Sequence, residues 1–402
     1  MKHYTILLLL FFMSLLFTGN AIELREGYWE GELKLIGNKV LPFIFSVNQD
    51  QKITIINAEE SVLMKESILK NDSLQYYFSS FPNFLIFKVE SEKRISGSFV
   101  NPDRKNEFAR IDFNGKYFGK EQPKFCGNMK NKIDGKWQVL FDPDTEHNFP
   151  AIGIFNQEKN KVTGTFLTET GDFRFLSGSF KNNKLMLSSF DGAHVFLFTA
   201  TLKNDTLRGE FISGSGYKTN WIGSKNENFK LENPDSLTYM VKDNFSFNFK
   251  TVEGEDYNYP NKELQNKVVI VQILGTWCPN CLDETMFYKD LYAEYKDLGL
   301  EIIAVAYERP ESFEDKVKRI NRFTQNKEVN YPILVGGDAS KEECSKDFDM
   351  LNNISSFPTS IFINKYGEVV KIHTGFNGPG TGKIYTDYKR KTKELIERLL
   401  KE

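Results

Sequence analysis

The chain has 402 residues, 40% hydrophobic and 26% charged, with 52 Lys and Arg against 54 Asp and Glu and a net charge of −2. That length allows two or three domains with full-sized cores, and the near-balance of interspersed charges excludes a basic nucleic-acid-binding surface. Four cysteines are too few for a disulfide scaffold, and His147, His194 and His373 lie too far apart to suggest a metal cluster, so no metal site is expected.

Residues 1–21 read as a secretory signal. Lys2 gives the positive start, Ile6 to Phe17 the apolar run, and Gly19-Asn20-Ala21 the small residues for cleavage after Ala21. Cleavage removes one lysine and takes the net charge to −3. The apolar run is short for a transmembrane span. No cysteine precedes Cys126, so no lipid anchor is expected.

Residues 22–232 look all-β. Short runs rich in Phe, Ile, Val and Thr alternate with polar residues, punctuated by Asn182-Asn183, Asp191-Gly192 and Asn204-Asp205. This predicts antiparallel meanders that curl into barrels or sandwiches. A weak repeat divides them. Gly27-Tyr28-Trp29 recurs as Gly135-Lys136-Trp137, and Gly97-Ser98-Phe99 as Gly209-Glu210-Phe211, both about 110 residues on. Two modules follow, residues 22–125 and 126–232. Their loops at Thr168 to Asp172 and Phe190 to His194 read first as ordinary hairpin turns, with a docking surface as the alternative. Cys126 falls in a linker and Cys344 in a helix. They read as unpaired thiols, with a mutual bridge as the other option.

Residues 233–402 change pattern. Val268 to Leu274 is nearly unbroken apolar sequence, as in a strand buried on both faces. Trp277-Cys278-Pro279-Asn280-Cys281 follows, and then Leu282, Met286, Phe287, Leu291 and Tyr295 fall at helix spacings. The cysteine pair therefore sits where a buried strand turns into a helix. Free N–H groups there stabilise a thiolate, and Pro279 suits the first helical turn. No further Cys or His lies close enough to complete a zinc site, so the pair reads as redox-active. A second buried strand (301–307), a helix begun by Ser312, an extended segment (331–335), a helix (341–348), a hairpin (360–372) and a closing helix complete an α/β order.

These residues resemble the TlpA/ResA-like thiol–disulfide oxidoreductases of the thioredoxin superfamily, over about 245–402. The likeness rests on Trp277 to Cys281, Glu284, Phe357-Pro358-Thr359, Gly367 and Gly375. His373 to Gly380 and the preceding β modules resemble, more loosely, the large secreted thioredoxin-like proteins of Bacteroidetes-type bacteria. The resemblance implies a thioredoxin fold with Cys278 as attacking thiolate, Cys281 as resolving thiol, Glu284 as a proton-tuning acid and Pro358 as a cis-proline facing the disulfide. It places Trp277, Pro279, Phe357 and Thr359 around the substrate. It implies no cofactor beyond the Cys278–Cys281 disulfide. The expected partners are protein disulfides and a membrane electron donor, and the expected place is the periplasm or cell envelope. One position departs from the thioredoxin pattern: Gln272 stands where thioredoxins carry a buried Asp, so proton transfer passes to Glu284 or water.

Three rivals stand beside this reading. A peroxiredoxin would carry Thr three residues before its reactive Cys, and here that position is Gly275. A copper chaperone would use a CxxxC spacing, with His373 its one support. In the third, the β modules bind a partner or glycan and the thioredoxin domain only supports them. As to direction, Pro279-Asn280 carries no positive charge, no Lys or Arg lies between Lys267 and Lys289, and Asp283 and Glu284 oppose a thiolate. The pair is therefore expected to act as a reductant.

Overall fold

The computed structural model describes residues 23–70, 72–123 and 131–402. The signal at 1–21 and Cys126, with its possible bridge, lie outside the described residues; Cys344 is a buried free thiol.

Among the described residues, eight antiparallel strands between Gly27 and Gly119 form a closed barrel. Closure is made by Gly27–Lys34, which pairs with both Val40–Val47 and Arg110–Gly119. A second ring of eight spans Gly135 to Lys225, closed where Phe149–Glu158 pairs with both Gly135–Phe141 and Lys161–Thr168. A two-residue strand, Gly171–Asp172, hangs from its edge. Closure removes the exposed edges of an antiparallel sheet.

The sequence repeat has a structural counterpart. Trp29 Nε1 donates to Arg25 O at 2.9 Å, and Trp137 Nε1 donates to Ile133 O at 2.8 Å. Each buried indole thus satisfies its one donor on the carbonyl four residues back. Gly97 and Gly209 mark tight crossings: an added Cβ would lie 2.0 Å from Ile86 O and 1.8 Å from Thr199 O. The turns at Asn182-Asn183 and Asn204-Asp205 carry positive φ at both residues, as two-residue hairpins require.

The C-terminal unit is built on seven strands: β1 (Phe247–Lys250), β2 (Asp256–Tyr259), β3 (Val268–Leu274), β4 (Leu300–Glu308), β5 (Ile333–Asp338), β6 (Thr359–Ile363) and β7 (Val369–Thr374). Their order across the sheet is β2-β1-β5-β4-β3-β6-β7, with β3, β4 and β5 parallel. Helices α1 (Pro279–Tyr295), α2 (Phe313–Lys327), α3 (Lys341–Asp347) and α4 (Lys383–Lys401) cover it. Every residue of β3 is buried, as its unbroken apolar run predicts for a central strand covered on both faces. This is a thioredoxin-like fold preceded by two all-β modules. None of the helices among the described residues is long and apolar enough to cross a membrane.

The three units share a common interface. Asn57 of the first barrel exchanges two hydrogen bonds with the backbone of Phe190 in the second, at 3.0 and 3.1 Å. Phe190 is itself part of the first barrel's core. Arg319 of α2 pairs with Asp103, and Arg322 donates to Phe81 O at 2.7 Å.

Candidate functional site

The strand-to-helix turn after β3 delivers the cysteines. Cys278 is the N-cap of α1 and Pro279 its first residue. Gly275 O accepts from the Cys278 N–H at 3.0 Å and so shapes the turn. A side chain at Gly275 would strike the Trp277 ring at 2.5 Å, so the position has no room for a peroxiredoxin-type Thr. The hydroxyl of the adjacent Thr276 is committed to Glu308, 2.9 Å away.

The two thiols differ. Cys278 is half-buried and Cys281 fully buried. A hydrogen bond donated by the Cys281 thiol stabilises the Cys278 thiolate and outweighs burial. Backbone N–H groups of Cys281 and Asn280 and the nearby His194 add to it, bringing the Cys278 pKa down to about 7. Burial, and then the neighbouring Cys278 charge, push Cys281 well above the usual thiol range. The arrangement therefore supplies one ready nucleophile and one protonated reserve.

The Phe357–Pro358 bond is cis, and Phe357 O accepts from the Cys278 thiol at 3.6 Å. The Phe357 ring meets Trp277 edge-on, 5.9 Å between centroids. Trp277 is anchored by Nε1 on Tyr307 O at 2.9 Å, with the exposed Arg309 guanidinium 4.8 Å from its ring. Thr359 is fully buried and its hydroxyl donates to Ser356 O at 2.9 Å, which ties it into the loop before Pro358.

Glu284 lies one turn beyond Cys281, fully buried, accepting from Gln272 Nε2 and Ser360 Oγ, each at 2.9 Å. Burial raises its pKa to about 8, against the lowering effect of these hydrogen bonds. The simple surface carboxylate is thereby ruled out. Gln272, in the position of the thioredoxin Asp, bridges Glu284 and Tyr331, whose hydroxyl donates to Gln272 Oε1 at 2.9 Å.

Two expectations from the sequence are corrected. The loops at 168–172 and 190–194 are not plain hairpin turns; both dock on the thioredoxin unit. Nor is the neighbourhood of the cysteines without cations. Arg174, carried by the second barrel, enters the site from more than a hundred residues away. Its guanidinium pairs with Asp283 of α1, with Glu60 of the first barrel at 2.5 Å and with Asp191 of the second at 3.1 Å. Local sequence contains no signal for this, because the partners share no element. His373 is turned to Asp235, 2.6 Å away. Among the described residues, no group of three or more His, Cys, Asp or Glu could hold a metal ion.

A thioredoxin fold with a half-buried thiol at a helix start, a buried partner three residues on and a cis-proline beside them defines the thiol–disulfide oxidoreductase class. Comparison with known proteins agrees. The Redoxin family model matches residues 240–388. The thiol-disulfide oxidoreductase ResA of Halalkalibacterium halodurans is 34% identical over 142 residues, covering 35% of this chain and 71% of that protein. ResA of Bacillus subtilis is 28% identical over 144 residues, 36% of this chain and 68% of that protein. The crystal structure of StoA from Bacillus subtilis aligns with a TM-score of 0.26 at 24% identity, covering 37% of this chain and 96% of that one. The chain belongs to the ResA-like family of thiol–disulfide oxidoreductases, within the thioredoxin superfamily.

Proposed function

We propose that this oxidoreductase is exported by residues 1–21 to the periplasm or cell envelope and there reduces protein disulfides through Cys278 and Cys281. On this reading the mature chain comprises β modules at 22–125 and 126–232 and a catalytic unit at 233–402. The Cys278 thiolate attacks one substrate sulfur and the other leaves as a thiolate, giving a mixed disulfide. Cys281 then loses its proton, attacks Cys278 Sγ and releases the second substrate thiol. The substrate gains two electrons and the protein is left with a Cys278–Cys281 disulfide. Glu284 is positioned to tune proton movement at the buried thiol, Pro358 and Phe357 to flank the attacked disulfide, and Trp277 and Pro279 to border it. No cofactor is needed. A membrane electron donor restores the dithiol.

The observation that carries this reading is the inequality of the two thiols at one helix start. Trapping tests it: Cys281→Ala should accumulate mixed disulfides with envelope proteins, and Cys278→Ser should accumulate none. Equal trapping by both variants would overturn it. The peroxidase reading is disfavoured by the contact that a side chain at Gly275 would make with Trp277.

A further inference from the structure

Cys278 has two flanks, and the protein's own chain fills one of them. Ser356, beside Phe357, donates Oγ–H to Thr170 O at 3.1 Å. Gly171 forms a parallel bridge with Phe376. Asn280, inside the CxxC, donates to Asp172 O at 3.3 Å and Phe376 O at 3.4 Å. The Asp172 carboxylate accepts from Gly378 N, and Arg174 donates to Pro279 O at 3.3 Å. Pro279 and Phe376 are buried at this contact.

Both surfaces are shaped for this contact. A Cβ on Gly375 would lie 2.5 Å from the Thr170 backbone, one on Gly380 2.9 Å from the Arg174 backbone, and one on Gly171 2.2 Å from Asn280 Nδ2. Two of the three glycines of the 375–380 stretch, Gly375 and Gly380, thus lie against the barrel chain, whereas a Cβ on Gly378 would first meet Asp283 of α1 at 2.5 Å. Ala193, in the second docked loop, packs against the thioredoxin core as well.

Cys278 is nevertheless only half-buried. A cleft runs beside Trp277 between Arg309 and Pro310 on one side and Ser80, Pro82 and Asp103 of the first barrel on the other. Its walls belong to different units and stand close together.

We propose that the Thr168–Arg174 segment of the second barrel is a specificity element for Cys278. It occupies the flank made by the start of α1 and the 375–380 stretch, and so leaves the Trp277 cleft as the way in. A disulfide reaching Cys278 must then be carried on a slender, unfolded protein segment. On this proposal a folded domain meets Thr170 to Arg174 and the first-barrel wall on its approach to Cys278. This inference rests on thiol–disulfide exchange at Cys278, as proposed above.

Access is testable apart from activity. The reduced full-length protein is treated with N-ethylmaleimide or with a small cysteine-free folded protein carrying one maleimide on its surface, and modification of Cys278 is read by peptide mass. Relative to the same two reagents on free cysteine, the bulky reagent should be at least about tenfold slower. Arg174→Ala, which loosens the segment, and Gly380→Leu, which wedges it away, should each shrink that penalty. In parallel, the ratio of insulin reduction to reduction of a short disulfide-linked peptide should rise in both variants. Equal access of the two reagents to the wild-type protein would overturn the proposal. So would an unchanged ratio in whichever variant folds. Failure to reduce either substrate would count against the reductase reading, and the alkylation ratio would still decide access.

Discussion

Gln272 donates its side-chain amide to Glu284 across 2.9 Å, and both side chains are fully buried. A neutral amide thus stands beside a carboxyl whose burial raises its pKa to about 8. Stability should depend on pH through this pair. In the unfolded chain Glu284 ionises near its ordinary value of 4.5, while the native state keeps its proton up to about 8. The native state therefore holds the extra proton in that window. Its contribution is full below about 4.5 and is lost as pH rises through about 8. Glu284→Gln should gain on wild type between pH 5 and 8, on the order of 1 kcal/mol per pH unit. Thermal melts of the disulfide-oxidised proteins, which remove thiol titration, check this. A pH-independent difference would contradict it. The pH–rate profile of disulfide exchange should shift in the same variant.

Cys278 should be the thiol that reacts. With its pKa brought down to about 7 by the Cys281 hydrogen bond, its alkylation rate should rise through pH 7. Cys281 should stay unreactive across that range, being buried and held protonated. Replacing Cys281 by Ala removes the donor and should move the Cys278 midpoint upward. Iodoacetamide kinetics with peptide mapping give both answers. Preferential labelling of Cys281 would reverse the assigned roles.

The redox potential should lie near the thioredoxin value, on the order of −270 mV, and far from the −120 mV of strong oxidants. The reason differs in part from that suggested by local sequence. Asp283 is compensated by Arg174, and burial keeps Glu284 neutral below about 8. Neither acid therefore presses freely on the thiolate. The pKa of about 7 at Cys278 nevertheless matches that of a reducing thioredoxin rather than a strong oxidant. Equilibration in glutathione or dithiothreitol buffers measures the potential. A value above about −180 mV would favour an oxidase or isomerase.

Arg174 should hold the three units together. It is 7% exposed and faces Glu60, Asp191 and Asp283, one acid from each unit. Removing one partner from a buried ionic cluster leaves uncompensated charge and costs about 3–5 kcal/mol. Arg174→Ala should lower the urea midpoint and separate the unfolding of the thioredoxin unit from that of the barrels. A single transition at the wild-type midpoint would show that the cluster contributes little.

The sequence by itself determined what depends on short spacings. The unbroken apolar run of β3, the Cys278–Cys281 spacing and Pro279 at the start of α1 place a thiol pair where a central strand becomes a helix, whatever surrounds it. The paired Trp29 and Trp137 likewise marked two similar β modules, in which each indole is satisfied within four residues. Tertiary structure alone decided the rest. Whether Glu284 was a surface charge or a buried acid depended on Gln272 and Ser360, which reach it from separate strands. Thr170 and Asp172 read first as turn residues, with a docking surface as the alternative, Arg174 lies just beyond that loop, and nothing within several residues of them signals a thiol. Their part at Cys278 arises because ion pairs and backbone hydrogen bonds form between elements more than a hundred residues apart, a proximity that no local pattern of residues encodes.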